Sequence, residues 1–243
     1  MTLSVTIPAF NEAKKLRDTV ERLHFFLSHH IEMPWEIVIA ENGSTDQTPA
    51  IAESLRRDYP QIRVIRSTGK GRGRALKQAW LDSNADILSY MDADLSTDLK
   101  AFPTLIQSLA NGGFGLATGS RLLEPSLTTR SFKREFASRC YNKLVKALLR
   151  THFSDAQCGF KAITRRAAEH LLPLVEDNGW FFDTELLVLA EKHGYHIFDL
   201  PVRWVENGDS HVHIFRTAMG DIKGLLRLRR KLRLEANHPC GAS

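Results

Sequence analysis

The stretch "ILSYMDADLSTD" (87–98) decides how this chain is read. Ile87 to Met91 are apolar or hydroxyl-bearing, as a buried strand requires, and Asp92, Asp94 and Asp98 follow at once. Carboxylates this close repel one another unless a cation joins them. Two Asp one residue apart at a strand's end can aim at one divalent ion. Carboxylate oxygens suit Mg²⁺ or Mn²⁺, with phosphate oxygens completing the shell. The alternative is that Asp92 and Asp98 cap helices while Asp94 is solvated. Asp98 fits a cap, because "STDLKAF" (96–102) reads as a helix start.

Outward from this strand, three more β-rich runs precede it: "LSVTIP" (3–8), "WEIVIA" (35–40) and "IRVIR" (62–66). Helix-period segments at 12–29, 47–58 and 73–83 separate them. The alternation predicts an α/β fold with a mostly parallel sheet flanked by helices, joined by right-handed crossovers. A helix at 98–110 and a strand at 114–119 continue the pattern. Ligands of such sheets bind beyond the carboxyl ends of the strands. There, residues 8–12, 41–46, 67–74 and 92–98 collect Gly, Asn, Asp and basic side chains. Past residue 120 the pattern loosens into helices near 133–150 and 181–194, a strand at 196–204 and a basic tail.

With 243 residues, 43% hydrophobic and 25% charged, the chain fits one domain with an appended segment and can bury a core without disulfides. Cys140, Cys158 and Cys240 are too scattered for a secreted framework or a zinc site and point to a reducing cytoplasm. No apolar run reaches the roughly 20 residues a bilayer span needs. The N-terminus reads as a strand followed by charges, not as a leader. Between Arg216 and Arg233 there are seven Lys or Arg against one acid, Asp221. Phe215, Ala218, Met219, Ile222, Leu225 and Leu226 form a helical stripe among them. Such a helix either lies on an anionic membrane or packs on the domain with its charges solvated. Nucleic acid is not expected, because no aromatics of the kind that stack bases are interleaved with the basic residues.

Other clusters carry two readings each. In "AENGSTDQT" (40–48), Glu41 and Asn42 can face a base, or the segment is a turn with Thr45 or Asp46 as helix cap. "GKGRGRAL" (69–76) is neither a Walker loop nor GxGxxG; its Gly and basic residues suit phosphate, or it is a surface turn. Asp155, Asp183 and Glu185 lie in two later motifs, where Asp183 reads as a cap or as a catalyst. His211 and His213 make an i,i+2 pair that is a poor metal site.

Together, "TIPAFNE", "AENGSTD", "GKGRGRAL", "MDADLS" and "GSR" resemble family 2 nucleotide-sugar glycosyltransferases in order and spacing. "DAQCGFKAI", "WFFDTELL" and "PVRWVENGDSHV" look like dolichyl- or polyprenyl-phosphate hexosyltransferases, closest to the dolichyl-phosphate glucose branch, with the mannose branch a near relative. The resemblance implies a Rossmann-like GT-A domain over 1–210, with a nucleotide-sugar half (1–120) and an acceptor half (121–210), then a basic amphipathic helix and tail (211–243). It implies that Pro8, Phe10, Glu12 and Glu41 line a nucleoside pocket, with Asn42, Lys70, Gly71 and Ala93 also touching the nucleotide sugar. Asp92, Asp94 and Ser96 would hold Mg²⁺ or Mn²⁺, and Asp155 and Asp183 would join the two metal aspartates at the chemistry. Arg121, Arg134 and Ser138 would face the acceptor phosphate, and Arg203, Ser210 and His211 would close a loop over the nucleotide. Asn42, Ser96 and His211 depart from the residues usual there, and the membrane spans many relatives append have no counterpart.

The implied reaction is inverting transfer of a hexose from UDP-glucose, or else GDP-mannose, to a polyprenyl or dolichyl phosphate. A phosphate monoester, with a second pKa near ~6, is already mostly a dianion at neutral pH and needs no strong base. A soluble enzyme acting on a sugar hydroxyl would need one, with Asp183 the candidate. The expected location is the cytoplasmic face of a membrane, peripherally bound.

Overall fold

A computed structural model describes residues 1–67, 69–129, 132–205 and 214–237. Seven strands build one sheet: β1 (Leu3–Ala9), β2 (Trp35–Glu41), β3 (Ile62–Arg66), β4 (Ile87–Met91), β5 (Leu116–Ser120), β7 (Phe160–Thr164) and β8 (Ile197–Pro201). A second, two-stranded sheet pairs β6 (Leu127–Thr129) with β9 (Arg203–Val205).

Period-two alternation explains the strands. Leu3, Val5 and Ile7 of β1, Ile37 and Ile39 of β2, and Ile87 and Met91 of β4 enter one core. Leu88 and Tyr90 of β4 enter the core on the opposite face. Helices α1 (Leu16–His30), α2 (Thr48–Asp58) and α4 (Phe102–Asn111) cover the first face. Helices α3 (Arg72–Leu81), α5 (Phe132–Leu149), α6 (Arg165–Leu171), α7 (Phe182–Lys192) and α8 (Ile214–Asn237) cover the second.

The large sheet runs β3-β2-β1-β4-β7-β5-β8. The chain builds outward from β1 to β3, then returns to place β4 on the other side of β1. That reversal opens the crevice in which open α/β sheets bind ligands. The expected parallel continuation fails at one place. Strand β7 lies antiparallel between β4 and β5, so β5 is not the neighbour of β4. Its sequence, "FKAIT", hides the strand because Lys161, in mid-strand, is charged yet buried.

Helix α8 packs one side of itself on the domain, as one reading of the tail expects. Leu225 and Leu228 are fully buried in the second core, and Gly224 sits directly on the Phe181 ring. Met219, Ile222, Leu226 and Leu234 remain exposed, interspersed with exposed Lys223, Arg230 and Arg233. Among the described residues no helix is long and apolar enough to cross a membrane.

Candidate active site

The loop after β4 is pinned from three sides. Asp92 N–H donates to the Gly159 carbonyl (3.1 Å), and the Thr19 hydroxyl of α1 donates to the Ala93 carbonyl (2.5 Å). Leu95 holds φ +46°, a strained value for a bulky side chain, and its N–H returns to the Asp92 carbonyl (3.1 Å). That turn brings Ser96 N–H to Asp94 Oδ1 (2.9 Å). On the far side, Val205 N–H of β9 donates to the Ser96 carbonyl (2.9 Å) and Asp98 N–H to the Arg203 carbonyl (3.0 Å). The small sheet is thereby fastened to the aspartate loop. Asp98 is the predicted cap, accepting from Lys100 N–H (3.0 Å).

The donor set fits a hard divalent ion that is bound partly by its substrate. Ser96 Oγ is buried beside the two aspartates and has no partner among the described residues. No group of three His, Cys, Asp or Glu is found there among the described residues. Two carboxylates and a hydroxyl leave half of an octahedral shell to water and phosphate oxygens, in keeping with the preference of Mg²⁺.

Asp92 is itself tightly placed. Its Oδ1 accepts from Arg72 Nη2 (2.9 Å), while its Oδ2 lies against Gly159, where any Cβ would overlap the carboxylate. Burial, with a smaller push from Asp94, lifts the Asp92 carboxyl above its ordinary value despite the pull of Arg72. The sequence leaves Arg72 either facing phosphate with the other basic residues of the Gly-rich loop or lying in a surface turn. Instead it turns inward, bridging Asp92 and Asp183 (2.5 Å from Nη1), with Tyr90 and Trp180 rings at 4.8 and 5.1 Å.

Asp183 is therefore no helix cap. Its carboxylate accepts from Arg72 and the Tyr90 hydroxyl and lies 3.4 Å from Lys161 Nζ. Burial would raise its carboxyl, but the charges of Lys161 and Arg72 outweigh that and hold it low. At 3% exposure it has no open face toward an acceptor hydroxyl, and Arg72 links it to Asp92.

The nucleotide side gathers the ends of β1 and β2. Pro8 stands opposite Ala40, and exposed Phe10 carries Lys70 Nζ 5.0 Å from its ring centre. Glu12 N–H donates to Thr48 Oγ1 (2.8 Å), and the buried Glu41 carboxylate accepts from Ser44 N–H (2.5 Å). Asn42 works as a clip, its Oδ1 accepting from Gly71 N–H (2.8 Å). Gly73 and Arg74 N–H donate to the Gly179 and Asn178 carbonyls (3.2 Å each). These two amides are tied to protein carbonyl oxygens. Gly71, at φ +150° and packed on the Asn178 carbonyl, has to lack a side chain.

Beyond β5, where the resemblance implies an acceptor site, Arg121 makes a two-pronged pair with Asp155, from Nε (2.7 Å) and Nη2 (2.9 Å). Burial would raise the Asp155 carboxyl, but Arg121 and then Lys161 bring it to about 2. So fixed, Asp155 orients Arg121, whose guanidinium also lies over the Trp204 ring (5.7 Å). Ser138 is buried on α5 with no hydroxyl partner among the described residues, and Arg203 is exposed on β9. Ser210, His211, His213 and the side chain of Arg134 lie outside the described residues. Thr19, Tyr90, Gly159 and Trp180 were not anticipated. Tyr90, Gly159 and Trp180 do lie within the quoted "ILSYMDADLSTD", "DAQCGFKAI" and "WFFDTELL" stretches.

A model of glycosyl transferase family 2 matches residues 4–172. Over 230 residues the chain is 40% identical to glycosyltransferase AglD of Haloferax volcanii, covering 93% of this chain but 36% of that one. It is 33% identical to dolichyl-phosphate beta-glucosyltransferase ALG5C of Trichomonas vaginalis, covering 86% of this chain and 65% of the relative. The dolichyl-phosphate beta-glucosyltransferase of Dictyostelium discoideum is 30% identical, with 93% and 73% covered. In structure, the chain superimposes on Mycobacterium tuberculosis glucosyl-3-phosphoglycerate synthase, solved with UDP, at TM-score 0.71 and 19% identity, covering 94% of this chain and 80% of that one. The same enzyme has been solved with Mn²⁺, UDP and phosphoglyceric acid. The likeness shows a GT-A-like fold.

Proposed function

The chain belongs to glycosyl transferase family 2, and on that premise we propose that it moves a hexose, glucose favoured, from a nucleotide diphosphate sugar to a polyprenyl or dolichyl phosphate. The observation that carries this reading is a convergence at one sheet edge. The aspartate loop, the clipped Gly-rich loop and the Arg121–Asp155 pair all meet beside the β1/β4 crevice. Relatives bearing the dolichyl-phosphate beta-glucosyltransferase name over most of this chain favour the lipid phosphate and glucose.

Phe10, Glu12 and Glu41 would receive the nucleoside, while Asp92, Asp94 and Ser96 would hold Mg²⁺ or Mn²⁺ against the diphosphate. When bound, that ion offsets the charge that collects on the leaving nucleotide as the C1–O bond breaks. Arg121, set by Asp155, would steer the acceptor phosphate to the opposite face of C1, so an α-linked donor gives a β-linked product. The acceptor is already ionised, so no residue has to remove a proton from it. That agrees with carboxylates at Asp155 and Asp183 that are held in ion pairs. The exposed stripe of α8, with Lys223, Arg230 and Arg233 beside Met219, Ile222 and Leu226, would rest on an anionic cytoplasmic membrane surface and keep the enzyme near its acceptor.

Incubation with labelled UDP-glucose, Mn²⁺ and polyprenyl phosphate in anionic vesicles should move label into the organic phase. Label appearing there only from GDP-mannose would overturn the donor, and label only on soluble glycans would overturn the acceptor.

A further inference from the structure

We propose that Arg72 is a positioning residue that sets the Asp92 carboxylate for metal binding, and that Trp180 holds it in place. The inference rests on the metal reading given above. Arg72 comes from the first turn of α3 and is 8% exposed, yet its two Nη atoms reach carboxylates from different parts of the fold. Nη1 meets Asp183 on α7, and Nη2 meets Asp92 beyond β4. Between them the guanidinium plane is enclosed by Tyr90 and Trp180. Its Nε has no partner among the described residues. The planar fork gives each carboxylate its own donor nitrogen in fixed geometry, whereas a lysine would serve both from one mobile point charge.

The surroundings keep the fork from shifting. Gly73 lets α3 press on Phe182, since a Cβ there would come 2.6 Å from the Phe182 Cβ. Asp183 is anchored independently by Tyr90 and Lys161, so it can serve as the fixed end of the bridge. At the other end, Arg72 takes Oδ1 of Asp92 while Gly159 leaves room for Oδ2. Asp92 therefore has one oxygen to offer an ion. Partners that orient a ligating carboxylate commonly govern metal affinity by about 10–100-fold.

Mn²⁺ binding to the full chain, read by electron paramagnetic resonance of the free ion, tests this without turnover. UDP binding in EDTA and the melting temperature serve as structural controls. Arg72→Lys should weaken Mn²⁺ binding about tenfold. Trp180→Leu keeps both ion pairs and alters a half-exposed ring, so it should fold normally and weaken Mn²⁺ binding about threefold by loss of the cation–π contact. In both variants UDP binding in EDTA should be unchanged. Wild-type Mn²⁺ affinity in Trp180→Leu and, if it folds, in Arg72→Lys would overturn the inference and leave the metal reading standing. A parallel fall in melting temperature, UDP affinity and Mn²⁺ affinity would overturn it too, as a packing role only. Failure of the wild-type chain to bind Mn²⁺, with or without UDP, would overturn the metal reading itself.

Discussion

Strands β3-β2-β1-β4 and strands β7-β5-β8 belong to one sheet, yet they treat charge differently. On the first side the ion pairs lie outside: Glu36–Arg63, Glu53–Arg56 and Arg17–Asp58 all keep 29–55% of their side-chain surface in solvent. Pairs this exposed are worth about 0–1 kcal/mol each. On the second side Asp155, Lys161, Asp183 and Glu185 are at most 4% exposed at the side chain, with Arg121, Arg72 and Arg227 reaching in to meet them. The first side is an ordinary parallel layer with its ion pairs at the surface. The second side is organised by buried charge. Arg72 crosses between them, rooted in the first side and bonded to carboxylates of both.

Substitutions can break that contrast. Asp94→Asn removes a charge from the rim and nothing from the core. Transfer should fall about 10³–10⁴-fold, roughly 4–5.5 kcal/mol of barrier, with the melting temperature within a degree or two of wild type. Near-normal transfer in a folded Asp94→Asn variant would contradict the metal assignment. Asp155→Asn attacks the interior instead. It leaves the Arg121 guanidinium buried without its counter-charge, and urea unfolding should show a loss of about 3–4 kcal/mol. A loss below about 1 kcal/mol would mean the interior pairs are no more structural than those on the surface.

Asp221→Asn sharpens the comparison through pH. Asp221 on α8 is 3% exposed and accepts from Gln157 Nε2 (2.9 Å). Burial, then the charges of Asp177 and Asp183, push its carboxyl up to about 7. A carboxyl raised on folding binds a proton in the native state that the unfolded chain has already lost. This group therefore takes stability away as pH rises from about 4 to about 7, by at most about 4 kcal/mol. Relative to wild type, Asp221→Asn should gain on the order of 2 kcal/mol between pH 5 and pH 8. A constant difference across that range would show that Asp221 is not strained by its neighbours.

How legible the two sides were follows the same divide. Strands β1 to β4 could be read to within a residue or so because each is a short β-rich run between helix-period segments. Strand β7 could not, since Lys161 breaks the apolar pattern and the strand runs antiparallel to both neighbours. The aspartate loop was evident from charge placed at a strand end. The direction of Arg72 was not, because Lys70, Arg72 and Arg74 look alike in sequence, and only the packing of α3 on α7 sends one of them inward.

Residue order alone determined the layered α/β arrangement, the crevice edge and the two aspartates at its rim, since period, turn chemistry and clustered charge are local properties. Which carboxylates are open to a ligand and which are held by arginine was decided only in the folded chain. A charge's partner depends on what lies beside it in space, and here the partners come from segments as much as 111 residues apart.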